Sequence, residues 1–218
     1  MAIEKHRIIL TADMQYKNRD VNLLNSYQKV SESIEKILID TKADIYAFVG
    51  DFTEYYQPND SERALMFKHL GNVLNISTLK EMVVMNGNHD LPTGKKIELS
   101  QKENNPLNTF VQSSKAINPE LSKKINYLKK QKEYDSLVNN LISWVSYSLE
   151  DGLSTGNNLH LSAKNNNKYR IPIFHDILQQ YVDDKKLPVS KSKYETLMKI
   201  EDFKANPNQK ALVLAGDI

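Results

Sequence analysis

Residues 81–90 read Glu-Met-Val-Val-Met-Asn-Gly-Asn-His-Asp, an apolar run that ends in Gly87-Asn88-His89-Asp90. A compact run of β-branched and apolar residues followed at once by turn formers is how a buried strand leaves its sheet, so 82–85 reads as a strand and 87–90 as the loop that carries chemistry. Asn88 offers a neutral carbonyl oxygen, His89 a proton donor, and Gly87 lets the backbone approach whatever they hold. Other apolar runs end the same way: 7–12 leads to Asp13, 43–49 to Gly50-Asp51, 169–174 to His175-Asp176, and 211–215 to Gly216-Asp217. Hard ligands on successive loops at sheet edges are what a divalent metal site requires.

Composition narrows the classes. The chain has 218 residues, enough for one sizeable core, with 29 Lys and Arg against 27 Asp and Glu and a net charge of +2. That balance is no basic tail, so contact with a polyanion has to come from local clusters. There is no cysteine, which excludes disulfides, thiolate catalysis and thiolate-ligated metals together. The first apolar run passes at once into Thr11-Ala12-Asp13 rather than into a membrane-length stretch, so a soluble, cytoplasmic protein without a membrane partner is expected.

Along the chain, Leu23, Tyr27, Val30, Ile34 and Ile37 or Leu38 recur at helical spacing over about 23–41, and Asn59 to Ser61 caps a second helix with Leu65, Met66, Leu70 and Val73 inward. Strand, helix, strand, helix, strand is the beginning of a layered α/β protein with a parallel sheet. Residues 91–119, with Pro92, Gly94, Pro106 and Pro119, predict a long loop with one short helix. From Pro119 to Gly152 the apolar spacing of Leu121, Ile125, Leu128, Leu137, Leu141, Trp144 and Tyr147 predicts a long helix. Its first half holds Lys123, Lys124, Lys129, Lys130 and Lys132, either a solvated face or a track for a DNA backbone. Residues 157–167 read as a polar loop, and further helices are expected over 177–182 and 194–203. His69 reads as a structural helix residue, and His6 and His160 as surface residues.

Collected together, the candidate site residues are Asp13, Gln15, Asp51, Asn88, His89, His175 and Asp217. Two divalent cations side by side need a bridging carboxylate, for which Asp51 is the natural choice, and terminal ligands on each side. Carboxylate, amide oxygen and imidazole together suit manganese, iron or zinc better than calcium. His89 fits beside the metals rather than on them, as a donor to a phosphodiester leaving oxygen.

The ordered series Asp13, Gly50-Asp51, Gly87-Asn88-His89-Asp90, His175 and Gly216-Asp217 resembles the calcineurin-like metallophosphoesterase superfamily over nearly the whole chain. Within it the closest likeness is to the SbcD-type recombination nucleases of tailed phages. The resemblance implies a four-layer αββα sandwich and a DNA exonuclease and endonuclease dependent on two metal ions, manganese foremost. It further implies Asp13 on the first metal, Asp51 bridging, Asn88 and His175 on the second, and His89 contacting the phosphate.

The chain departs from the family pattern in two places. Gln15 stands where a histidine is usual, and Asp217 takes the place of the first histidine of the closing Gly-His-x-His, with the second falling just past Ile218. The sandwich is therefore expected to be incomplete at its C-terminus, with the site completed by a continuation or a second chain. One phosphoesterase domain over 1–218 is expected, with no capping or partner-binding domain. The resemblance also implies a homodimer and an SbcC-like ATPase partner whose usual docking region is absent. A phosphoesterase acting on a phosphoprotein or cyclic nucleotide, or a catalytically impaired scaffold, are the competing readings.

Overall fold

A computed structural model describes residues 5–17, 21–92, 104–146, 169–175 and 214–216. The first sheet contains β1 (Ile8–Thr11), β2 (Ile45–Val49), β3 (Glu81–Met85) and β4 (Ile125–Tyr127), all parallel and adjacent in that order. Helices α1 (Val21–Thr41) and α2 (Asp60–Leu74) make the crossovers, and α3 (Pro106–Ile117) with the single turn α4 (Pro119–Ser122) leads into β4. The second sheet holds β5 (Glu133–Asp135), β6 (Ile142–Ser146), β7 (Tyr169–His175) and β8 (Leu214–Gly216); β5 is antiparallel to β6 and the rest are parallel.

The central strands are apolar on both faces because both faces are covered. Tyr46 and Phe48 of β2 and Met82 and Val84 of β3 pack against Leu38, Met66, Leu70 and Phe110 of the helices. The alternate residues Ile45, Ala47, Val49, Val83 and Met85 meet Trp144, Ile171 and Ile173 of the second sheet. The described residues thus form a helix layer on two face-to-face sheets, an α/β sandwich as expected. The helices expected over 177–182 and 194–203, the polar loop at 157–167 and His160 lie outside the described residues. No helix among the described residues is long and apolar enough to cross a membrane.

Local chemistry explains the helix ends. Asn59 accepts the Glu62 N–H while Glu62 accepts the Asn59 N–H, a capping box that starts α2. On α1 the buried stripe is Ser31, Ile34 and Leu38; of the pair Ile37 or Leu38 it is Leu38 that turns inward, while Val30, expected inside, is exposed. Ser31 is carried inward because its hydroxyl meets the buried Tyr16 hydroxyl at 2.6 Å.

The long lysine-rich helix expected after Pro119 is not formed. Among the described residues from 119 to 146 only Pro119–Ser122 is helical, and β4, β5 and β6 follow. Ile125 in β4, Leu128 just after it and Trp144 in β6 match a helical period by coincidence of spacing, and the pull of two sheets decides the outcome. Buried Glu81 fastens this region: it accepts Asn126 Nδ2 at 2.8 Å, Ser136 Oγ at 2.5 Å and Trp144 Nε1 at 2.9 Å, so one carboxylate ties β3 to β4, β6 and the turn after β5. His6, expected at the surface, is also tied in: its side chain is nearly buried, with Nδ1 2.7 Å from Asp44 Oδ2. His69 is structural, as expected, held between Glu35 and Tyr46 at 3.0 and 3.2 Å.

Candidate metal centre

Register places the site. β1, β2 and β3 are aligned so that Thr11 faces Phe48 and Val49 faces Met85, and the loops carrying Asp13, Asp51 and Asn88-His89 therefore leave the sheet at one rim. In the second sheet β7 ends at His175, opposite Gly216 of β8. The two sheets meet there, where His175 Nδ1 donates to the Val49 carbonyl at 2.7 Å. That bond uses the Nδ1 proton and leaves Nε2 as the atom facing the rim.

Asp13, Asp51 and His175 each offer a ligand atom, and these atoms lie within 4.8 Å of one another. His175 Nε2 is 3.2 Å from Asp51 Oδ2 and 4.0 Å from Asp13 Oδ1. Asp51 Oδ2 and His175 Nε2 are both buried with no hydrogen-bond partner. Leaving such atoms unsatisfied is costly, and the donor set of carboxylates and imidazole nitrogen is one that a transition-metal dication accepts. The residues fit a metal.

The backbone is strained where it holds these groups. Asp13, Gln15 and Asp51 have φ of 55°, 43° and 58°, in the left-handed region where side chains are uncommon, and Gly50 between strand and ligand has φ 84°. Paired backbone bonds hold the two loops together: Asp13 N–H to Gly50 O at 3.0 Å and Gln15 N–H to Asp51 O at 2.8 Å. Two glycines leave room for ligands rather than for a turn alone. A Cβ on Gly87 would lie 2.1 Å from Asp51 Oδ1, and one on Gly50 would lie 2.5 Å from His175 Nδ1.

Asp90 was not among the candidates, and the structure makes it the organiser of the rim. Its buried carboxylate accepts the N–H groups of Asp51 at 2.8 Å, Phe52 at 3.3 Å, Thr53 at 3.2 Å and Gly87 at 3.0 Å. Burial pushes its carboxyl up to about 6 against the pull of those donors. Its only signal in the sequence was its place closing Gly87-Asn88-His89-Asp90.

Electrostatics separates the other groups. Burial works against ionised Asp51, yet the His175 ring and the His89 N–H hold its carboxyl below the usual range. Burial likewise opposes a charged His175, and the Asp51 carboxylate overrides it, raising the ring to about 9. His89 N–H donates to Asp51 Oδ1 at 2.9 Å, and its Nδ1 meets the Glu54 carbonyl at 2.9 Å. With Nδ1 so engaged, the half-buried ring keeps Nε2 3.9 Å from Asp51 Oδ2. His89 therefore lies at the edge of the cluster and not inside it.

The remaining expected site residues divide. Gln15 is at the rim through its backbone bond to Asp51, with a half-buried side chain, and Asn88 is exposed in the loop next to His89. Asp217 lies outside the described residues. A comparison with curated proteins finds no match. The sequence pattern of the calcineurin-like phosphoesterase family matches residues 6–200, a span that takes in the Asp13, Asp51 and His175 loops and their supporting strands. A match over so much of the chain places this protein in the calcineurin-like phosphoesterase family, whose members are metal-dependent phosphoesterases.

Proposed function

We propose that the chain is a DNA phosphodiester hydrolase, cutting as an exonuclease and endonuclease, with two divalent cations, manganese foremost, held by Asp13, Gln15, Asp51, Asn88, His175 and Asp217. The observation that carries the metal-dependent reading is the pair of buried atoms, Asp51 Oδ2 and His175 Nε2, aimed at one spot without partners. Bound there, the cations supply charge that readies a water for attack and neutralises the phosphoryl group. Asp51, 3.2 Å from His175 Nε2 and beside the Asp13 loop, would bridge the two cations. His89, anchored through Nδ1 to Glu54, presents Nε2 and in its charged form donates to the phosphate and the leaving oxygen.

A polymeric substrate is supported by the basic residues that follow β4. Because β4 runs parallel to β3, with Tyr127 opposite Val84, the loop with Lys129, Lys130 and Lys132 leaves the sheet on the same side as Asn88 and His89. Three lysines beside a phosphate-cleaving rim suit a backbone of repeated phosphates better than a single phosphoester. Lys132 also sits 4.6 Å from the Tyr134 ring centre, which restrains that loop.

The test is an assay of the chain with manganese against single-stranded DNA, hairpin DNA, a cyclic nucleotide and a phosphopeptide, repeated with a chelator. Chelator-sensitive cleavage of DNA in preference to the small substrates is expected. Turnover of only the cyclic nucleotide or phosphopeptide would keep the hydrolase and reject the DNA reading. No turnover of any would favour the scaffold, which Gln15 in the place of the usual histidine also favours.

A further inference from the structure

At the opposite end of the first sheet, beneath the amino ends of β1, β2 and β3, lies a cavity of about 680 Å³. We propose that it binds an oligophosphate anion, at a site separate from the metal centre and independent of the nuclease reading. Lys5 and Arg7 enter it from the segment before β1, Lys42 from the end of α1, and Lys80 from the residue before β3. Against these four cations it has one carboxylate, Asp44, so the lining carries a net charge of +3 by that count of four less one with His6 neutral.

Asp44 is already occupied. Its Oδ2 faces His6 Nδ1 at 2.7 Å and its Oδ1 accepts the Arg7 N–H at 2.7 Å, so it braces the wall and does not neutralise the lysines. Among the described residues Lys5 and Lys42 pair with no carboxylate. The Arg7 guanidinium has five N–H donors and gives one to the Thr41 carbonyl at 2.8 Å. Lys42 is held at φ 51°, a helix-end position where glycine or asparagine is the usual residue, and it contributes a long cationic side chain to the lining.

The wall also determines the kind of anion. Ser77 and Thr78 add hydroxyls, and the Thr78 hydroxyl is buried without a partner. Among the described residues no Trp, Tyr or Phe lines the cavity, and its one ring, His6, is held through Nδ1 by Asp44 at 2.7 Å and through Nε2 by Asn139 at 3.2 Å, so recognition falls to phosphate oxygens. The volume exceeds what one phosphate fills, and the charge suits a ligand with three or four negative charges. Strand rise of about 3.3 Å per residue over the five residues of β2 puts this end on the order of 17 Å from the rim with Asp51.

Calorimetric titration of the metal-free chain at low salt with inorganic tripolyphosphate, a nucleoside triphosphate, orthophosphate and a short single-stranded DNA tests the site. Tripolyphosphate and the nucleoside triphosphate should bind alike, orthophosphate about tenfold or more weaker, and affinity should fall steeply between about 50 and about 200 mM salt. Lys5→Gln with Lys80→Gln should weaken tripolyphosphate by about tenfold for each lysine, while Asp51→Asn leaves it unchanged. No heat up to millimolar tripolyphosphate, unchanged affinity in a folded double variant, or loss of binding with Asp51→Asn each overturns the proposal. DNA binding more tightly than tripolyphosphate would overturn it in favour of a nucleic-acid track. If the double variant does not fold, Thr78→Val and the salt dependence of the native chain decide: insensitivity to both rejects the site.

Discussion

His175 Nε2 stands 3.2 Å from Asp51 Oδ2, and neither atom has a hydrogen-bond partner although both are shut away from water. An imidazole lone pair facing a carboxylate is tolerable only with a cation in the gap, and without metal that cation is a proton. The raised value of about 9 for His175 expresses this.

Metal and proton therefore compete. At pH 7.5 manganese binding should release about one proton, and apparent affinity should rise about tenfold per pH unit up to pH 9. Titration in two buffers of different ionisation enthalpy measures the proton count, and a count of zero would place His175 outside the metal shell.

The same shift sets a stability trend for the metal-free protein. His175 is raised from 6.5 to about 9 in the fold, so its contribution is fully present below pH 6.5 and is lost as pH rises through 9. Thermal melting with chelator should show a falling Tm over that window, absent in His175→Asn. An identical fall in that variant would assign the trend to other groups.

His89→Ala should keep manganese binding and lose cleavage, because its ring touches the edge of the cluster through Asp51 and is anchored by Glu54. A loss on the order of 10² to 10⁴ in rate is expected for a positioned donor. Loss of the metal in the same variant would make His89 a ligand instead.

Gly87→Ala tests the packing of the rim. A Cβ 2.1 Å from Asp51 Oδ1 has no room, so the loops must separate, at about 1–3 kcal/mol of stability and with weaker metal binding. Asp90→Asn probes the same contact from below: the amide cannot accept all four N–H groups, and about 1–3 kcal/mol should be lost for donors left unpaired. Denaturant melts check both, and native stability in either would show that the loops have slack.

The parts of this fold that were legible in the sequence are those with enough repeats to establish a period. Strands of four or five mostly apolar residues and two helices of at least four turns lie between Arg7 and Met85, and the candidate ligands Asp13 and Asp51 follow such strands. His175 was legible for the same reason. Three-residue strands such as Ile125–Tyr127 hold too few positions to reveal alternation, and no Gly or Pro interrupts 120–146, so the spacing of Leu121, Ile125 and Leu128 suggested a helix. Asp90 and His6 act through contacts made 37 to 39 and 38 residues away, which no local pattern displays.

The most direct measurement is the rate of manganese-dependent single-stranded DNA hydrolysis by the native chain and by Asp51→Asn, with metal binding followed in parallel. If Asp51 bridges the cations, removing its charge should weaken metal binding and lower the rate on the order of 10³ or more, since several kcal/mol of charge stabilisation would depend on the cations. Equal rates for the two chains, or a native rate that survives a chelator, would contradict a metal centre at Asp13, Asp51 and His175.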